Sequence, residues 1–242
     1  MALHFLVETS SDAAVGDLVS LTGAEAKHAA VVRRLRVGET VTVGDGAGVW
    51  LAGVAEEVSP SRVDVRVSER STQEAPSPRI VLVQALAKGD RDELAVQAAC
   101  ELGVDEIVPW QASRSISRWD GPKAVKGRER WATIVREAAK QAHRRWVPEV
   151  AVPASTSDLA ARVSTQRVLL LDPGAPARLS ELEPDGRDVV LVVGPEGGIS
   201  DDEIAKLVAA GAERVLLGDT VLRTSTAGPA AIAVLSVALG RW

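Results

Sequence analysis

Cysteine is almost absent from this chain. Cys100 is the one thiol in 242 residues, which excludes a disulfide framework and any cysteine-built metal site. It falls in an apolar helical pattern, where a buried, inert thiol is the expected state. Histidine is scarce as well. His4, His28 and His143 lie far apart in sequence and lack metal-ligand spacing, and they support no Ser-His-Asp arrangement. No apolar run approaches the roughly 18 residues of a membrane span. The opening Met1-Ala-Leu-His-Phe-Leu-Val-Glu8 is a short strand-like run without the basic start of a signal peptide, so a cytoplasmic protein is expected. There is no internal repeat or low-complexity tract. The Gly-x-Gly-x-x-Gly dinucleotide fingerprint is missing, and no Gly-Lys-Ser/Thr phosphate loop occurs.

What is present is ordinary in bulk and uneven in distribution. Hydrophobic residues make up 46% and charged residues 25% of the chain, as in a soluble globular protein. The net charge of −5 argues against a generic polyanion binder. Yet Arg114 to Arg145 holds ten bases against three acids, a local +7 that leaves −12 for the remainder. Such asymmetry suggests one localised anionic partner.

The pattern along the chain divides in two. Up to about residue 70 the runs are short and alternating: Glu39–Val43, a Gly44–Gly48 turn, Val49–Val54, and a period-two run Arg62–Val67. One helix, about Ala24 to Leu35, interrupts them. A small β-barrel is expected, with Gly44-x-Gly46-x-Gly48 a hairpin turn because no helix follows it. Ser71–Pro78 is polar and proline-bearing, a linker. Beyond it, apolar strands (Ile80–Val83, Asp105–Pro109, Val168–Leu171, Val189–Val193, Val215–Leu217) alternate with helical patterns at Asp90–Leu102, Lys126–His143 and Thr226–Leu239. This is the signature of a parallel α/β sheet.

Two loops carry the chemistry. Val189–Val193 runs into Gly194-Pro-Glu-Gly-Gly198 and then into Ser200-Asp-Asp-Glu203, a capping box that opens a helix. The second, Leu217-Gly-Asp-Thr-Val-Leu-Arg-Thr-Ser-Thr-Ala227, precedes the last helix, which Thr224 or Thr226 is expected to cap. Following successive strands, the two loops are expected side by side at one sheet edge, where open α/β sheets bind ligands. Arg223 is placed to hold an anion. On the long helix, Trp131, Ile134, Val135, Ala138 and Ala142 form a core-facing stripe. Arg136, Lys140 and Arg144 stack opposite at i, i+4, i+8, a ladder suited to phosphates. Trp119 and Trp146 flank it; packing is the expected role of each.

Lys88-Gly-Asp-Arg91, Glu101-Leu-Gly-Val104, Arg114-Ser115, Glu137-Ala-Ala-Lys-Gln141 with Arg144 and Pro148, Gly194–Gly198 and Leu222-Arg-Thr224 occur in that order. The set closely resembles the ribosomal RNA small subunit methyltransferase E family over nearly the whole chain. Gly23–His28, Arg33 and Gly38 resemble that family's N-terminal segment. The resemblance implies an N-terminal PUA-like RNA-binding β-barrel (1–72) and a C-terminal SPOUT α/β methyltransferase domain (73–242). The latter carries a parallel sheet and a deep trefoil knot at about 167–230. It also implies a homodimer, S-adenosyl-L-methionine as donor with no metal, and methylation at N3 of one 16S rRNA uridine near the decoding centre of the small ribosomal subunit. The implied cofactor residues are Leu171, Gly194, Pro195, Glu196, Gly197, Gly198, Leu217, Gly218, Val221, Leu222, Thr224, Thr226 and Ala227. Arg223, then Arg114, are the candidates to stabilise a uracil anion, and Glu196 is the candidate proton acceptor. RNA contacts are assigned to Lys27, Arg33, Lys88, Arg91, Arg114, Arg136, Lys140 and Arg144. The chain departs from the family in Lys27-His28, where His-His is common, and in Ser225, where glutamate is common. The competing readings are a non-catalytic PUA-like RNA-binding protein of ribosome assembly and a dinucleotide-dependent oxidoreductase.

Overall fold

The computed structural model describes residues 2–242, the side chain of residue 9 excepted. Met1, part of the strand-like run 1–8, lies outside the described residues. The chain forms two compact units: 1–75 together with 139–147, and 76–138 together with 148–242.

In the first unit β1 (Leu3–Leu6), β2 (Leu18–Thr22), β3 (Thr40–Gly44), β4 (Val49–Val58) and β5 (Arg62–Thr72) form one sheet in the order β1-β3-β4-β5-β2. Only β1 and β3 run parallel. The period-two patterns send Val41, Val43, Leu51, Ala55, Val63, Val65 and Val67 into a shared core with Phe5 and Leu21. Two bulges bend β4. At the first, Gly53 is required, because a Cβ there would lie 2.4 Å from the Arg66 carbonyl oxygen. The edge strands do not pair with each other among the described residues, so the sheet is an open half-barrel. The expected 24–35 helix is shorter: α1 spans Gly23–Lys27 and passes into one π turn, His28–Val32, closed by the Arg33 amide on the His28 carbonyl at 2.9 Å.

The second unit contains β6 (Ile80–Ala85), α2 (Arg91–Glu101), β7 (Glu106–Trp110), α3 (Pro122–Gln141), β8 (Glu149–Val150), α4 (Thr156–Arg162) and β9 (Arg167–Leu171). It continues with β10 (Ala177–Arg178), β11 (Val189–Val193), α5 (Asp201–Ala209), β12 (Glu213–Leu216) and α6 (Thr224–Ala238). The last turn of α3 belongs to the first unit. All seven strands are parallel, in the order β10-β12-β9-β11-β6-β7-β8. β6, β7 and β11 are buried along their whole length, which is why they are almost wholly apolar, with Gln84 in β6 and Glu106 at the start of β7 as the polar exceptions. Val81, Val83, Val168, Leu170, Val190 and Val192 pack with Leu159 of α4 and Leu207 of α5. α6 packs against β6, β11 and α2. There Gly228 allows close approach, since a Cβ would meet Leu82 at 3.0 Å. Gly103, at φ +100°, ends the α2 region as expected.

Two expectations change. β11 and β12 are not neighbours, because β9 lies between them. The loops after all three strands therefore converge, rather than two side by side. And α3 stops at Gln141, not His143. His143 takes φ +52°. The Arg144 amide then bonds the Ala139 carbonyl at 2.9 Å and the His143 amide the Lys140 carbonyl at 3.2 Å, a Schellman ending.

Candidate functional site

The loops that follow β9, β11 and β12 enclose a cavity of about 500 Å³, within the range of small-molecule sites. Its apolar wall is Leu171, Val193, Ile199, Leu217, Val221 and Leu222, with Gly194, Pro195, Glu196, Gly198, Gly218, Thr224 and Ala227 completing it. Of the residues expected to bind a cofactor, only Gly197 and Thr226 do not line it. Asp172, Pro173, Val193, Ile199, Ile204, Val215, Leu216 and Thr220 line it without having been expected. Nothing in their local pattern sets them apart; only the three-strand convergence collects them. Arg91, expected on RNA, also lines the cavity, as does Arg223.

The glycine turn is built for close approach. A Cβ on Gly194 would fall 2.9 Å from both the Ile199 side chain and the Ile199 amide nitrogen. Gly198 sits at φ +73°. Around Gly198 and Gly218 no atom lies within 4 Å of where a Cβ would stand, so these backbone stretches are open to a ligand.

Side chains from other segments hold the turn. Arg114 donates to the Gly197 carbonyl at 3.1 Å and to that of Ile199 at 3.4 Å. Glu196 accepts from the Lys88 amide at 3.0 Å and from Arg91 at 2.9 Å. Burial pushes the Glu196 carboxyl up, but bonds from its own amide, from Lys88 and from Arg91 outweigh this and hold it below the ordinary range. The capping box forms as expected: Ser200 accepts from the Glu203 amide, and Glu203 from the Ser200 amide at 3.2 Å. Glu203 does more, taking Ser113 through both amide and hydroxyl at 2.8 Å and Thr156 at 3.2 Å. Burial raises its pKa, and these bonds bring it below normal. Asp172, also on the cavity wall, pairs with Arg214 at 2.6 Å and accepts from the Gly174 amide at 2.8 Å.

The expected caps of α6 are corrected. Arg223 is the N-cap, and it has no side-chain bond to the helix. Thr224, inside the helix, donates instead to the Gly194 carbonyl at 2.8 Å. The Arg223 carbonyl accepts from the Thr226 and Ala227 amides, but its guanidinium makes no hydrogen bond or ion pair among the described residues. Of the arginines on the cavity wall, Arg91 is engaged by Glu196 and Arg223 is not.

The expected basic ladder does not form. Lys140 is buried, 5% exposed, with its ammonium 2.8 Å from Glu25. Arg144 lies beyond the end of the helix, and Arg136 is half-buried. Lys27 and Arg33 are exposed in the first unit, where Arg34 and Arg36, not singled out from sequence, are exposed beside them. Lys88, Arg91 and Arg114 are exposed in the second unit. Trp119 packs edge-on against Trp131, 5.0 Å between centroids. Trp146 donates its indole N–H to the Gln73 carbonyl at 3.0 Å. Both serve packing.

Among the described residues no His/Cys/Asp/Glu group could hold a metal. Among the described residues no helix is long and apolar enough to cross a membrane.

Residues 73–236 match the RNA methyltransferase domain family, and residues 21–68 match the RNA methyltransferase PUA domain. The chain is 40% identical over 248 residues to the ribosomal RNA small subunit methyltransferase E of Mycobacterium bovis, covering 100% of this chain and 94% of that one. It is 29% identical to the Bacillus subtilis protein of the same name, covering 98% and 96%. Among solved structures, a ribosomal RNA small subunit methyltransferase E from Neisseria gonorrhoeae bound to S-adenosyl methionine superposes with TM-score 0.85 at 29% identity, covering 98% of each chain. A methyltransferase from Legionella pneumophila with bound S-adenosylmethionine gives 0.83 at 30% identity, covering 98% and 97%.

Proposed function

Because the chain belongs to the ribosomal RNA small subunit methyltransferase E family, we propose that it methylates N3 of one uridine in 16S rRNA, with S-adenosylmethionine as donor. The observation that carries this reading is an arginine without a partner, Arg223, on the wall of a mostly apolar, glycine-edged cavity. The cavity fits the donor: apolar side chains suit a flat heterocycle, and the open backbone at Gly198 and Gly218 suits its polar substituents. When bound, S-adenosylmethionine supplies an electrophilic methyl group on a sulfonium leaving group.

The chain's own residues position and neutralise. Leu171, Val193, Leu217 and Leu222 line the cavity and would keep water from a bound donor. Uracil N3 gives up its proton to solvent before the N–C bond forms, and the negative charge spreads over the ring. Arg223 stabilises that charge from a site where no carboxylate competes for it. Arg114 is anchored to the Gly197 and Ile199 carbonyls and serves first to fix the turn. Glu196, held below its normal pKa by the bonds it accepts, is a poor proton acceptor; it clasps Lys88 and Arg91 against the turn. The RNA is assigned to exposed bases, Lys27, Arg33, Arg34 and Arg36 on one unit and Lys88, Arg91 and Arg114 on the other. Arg136 and Arg144 stay in that assignment; Lys140 leaves it.

Family membership also supports a trefoil knot at about 167–230, a topology otherwise rare, with β9 inserted between β11 and β12. It supports a homodimer, for which Leu94 on α2 and Val237 on α6 offer exposed apolar surface, and work in the cytoplasm, where small subunits are assembled. The test is methyl transfer to small subunits from a strain lacking the modification, with the product base identified. Arg223→Ala should cut the single-turnover rate by about 100-fold while donor binding persists. A full rate overturns the role of Arg223, and a product methylated elsewhere than uracil N3 overturns the substrate reading.

A further inference from the structure

We propose that Gln84 is a positioning residue for the cavity, acting through Thr224 on the Gly194 carbonyl and the start of α6. The inference deepens the cofactor reading above and, for its effect on ligand affinity, rests on it.

β6 lies inside the sheet between β11 and β7, and every one of its residues is buried. Five are apolar; Gln84, with 0% exposure, is the exception. An amide at such a position costs stability unless its groups are bonded. Here the bonding is incomplete. The Gln84 side-chain nitrogen donates to Thr224 Oγ1 at 2.9 Å and to the Ala85 carbonyl at 3.2 Å, while Oε1 is buried without a partner. A leucine would fit the strand pattern and bury no amide oxygen without a partner. The amide is therefore retained for what it holds, not for stability.

What it holds is one hydroxyl. The single Thr224 proton goes to the Gly194 carbonyl at 2.8 Å, so Thr224 Oγ1 must accept from the amide. That fixes the direction of the chain: amide N–H to hydroxyl, hydroxyl to carbonyl. Each bond polarises the next. Thr224 and Gly194 both line the cavity, and Gln84 itself does not. Thr224 is also the first residue of α6, whose N-cap contributes no side-chain bond. One turn on, Gly228 sets the depth of the helix against Leu82 and Val193. The hydroxyl sets its angle. Arg223 precedes Thr224 directly, so its aim depends on the same link.

Gln84→Leu tests this on the full chain. The thermal midpoint should stay constant or rise. Affinity for S-adenosylmethionine by calorimetry should fall by about tenfold. Thr224→Val should fall similarly, Thr224→Ser should retain wild-type affinity, and the double variant Gln84→Leu/Thr224→Val should bind no worse than Thr224→Val alone. In the ligand-free protein, amide exchange at Gly198 and Thr226 should speed by about tenfold in Gln84→Leu. That readout stands whatever the ligand is: a wild type that binds no S-adenosylmethionine refutes the cofactor reading, and faster exchange in Gln84→Leu still sustains the positioning role. Unchanged exchange with unchanged affinity overturns the proposal. So does a lowered midpoint with wild-type affinity well below it, which would make Gln84 a packing residue.

Discussion

Acidification should loosen the first unit through one ring. His4 is 7% exposed, stacks on Trp50 with centroids 4.1 Å apart, and places Nδ1 3.0 Å from the Thr42 hydroxyl. Its Nε2 is buried without a partner. Burial first, then the neighbouring His143 and Lys140, lower its pKa from 6.5 to about 4. Lys140 is itself paired with Glu25, and Arg145 lies over Trp50, so the charges around the ring are mostly positive. Below 6.5 the unfolded chain binds a proton that the folded chain refuses until about 4. The contribution of the neutral ring is thus fully present above the unfolded pKa and is lost as pH falls through that window. At about 1.4 kcal/mol per pKa unit the whole window is worth about 3 kcal/mol. The assay is urea unfolding, followed by tryptophan fluorescence, at steps from about pH 7 to about pH 4.5. His4→Phe, which keeps a ring on Trp50 and cannot titrate, is measured alongside. It loses the Thr42 bond at every pH, a constant offset. Wild type should lose about 2–3 kcal/mol more than His4→Phe across the range. Parallel curves for the two proteins would refute the argument, because every other titrating group is common to both.

Two further perturbations separate structure from binding. Lys140→Met should destabilise the protein by about 3 kcal/mol, because it strands the Glu25 carboxylate; Glu25→Gln in the same chain should restore part of the loss. If stability holds in urea and only RNA affinity falls, Lys140 belongs back among the RNA contacts. Gly194→Ala should weaken S-adenosylmethionine binding by at least about tenfold in calorimetry, since the added Cβ meets the Ile199 amide at 2.9 Å and the turn must move. Equal affinity would show that the turn is not a wall of the donor site.

Architecture was legible where a pattern has one cause. Val189–Val193 is an unbroken apolar run because both faces of its strand are covered, and its bounds are those read from sequence. The Ser200–Glu203 cap is a contact between near neighbours, so its residues announce it. The ladder failed for the complementary reason. Spacing places Lys140 on a face of α3, but only tertiary structure brings Glu25, 115 positions earlier, to its ammonium. The helix end also depends on His143 accepting a left-handed conformation, which glycine or asparagine would have signalled and histidine does not. Glu196 is a similar case: a carboxylate in a glycine turn suggests a base, and its partners Lys88 and Arg91 lie more than a hundred positions away.

The departure at position 225 takes on physical meaning once α6 is placed. The first turn of that helix contains no acidic residue. A glutamate at 225 would put a carboxylate within two residues of Arg223 and against the positive end of a 15-residue helix. With Ser225 that compensation is missing, so the helix end and the Arg223 guanidinium add to one local positive potential beside the cavity. Such a potential favours an anionic ring over a neutral one at the same position. In the proposed mechanism, the charge that Arg223 would present to a uracil anion is then less neutralised with Ser225 than with a glutamate there, while the Gln84–Thr224–Gly194 link does not involve residue 225 and would be unchanged by that substitution.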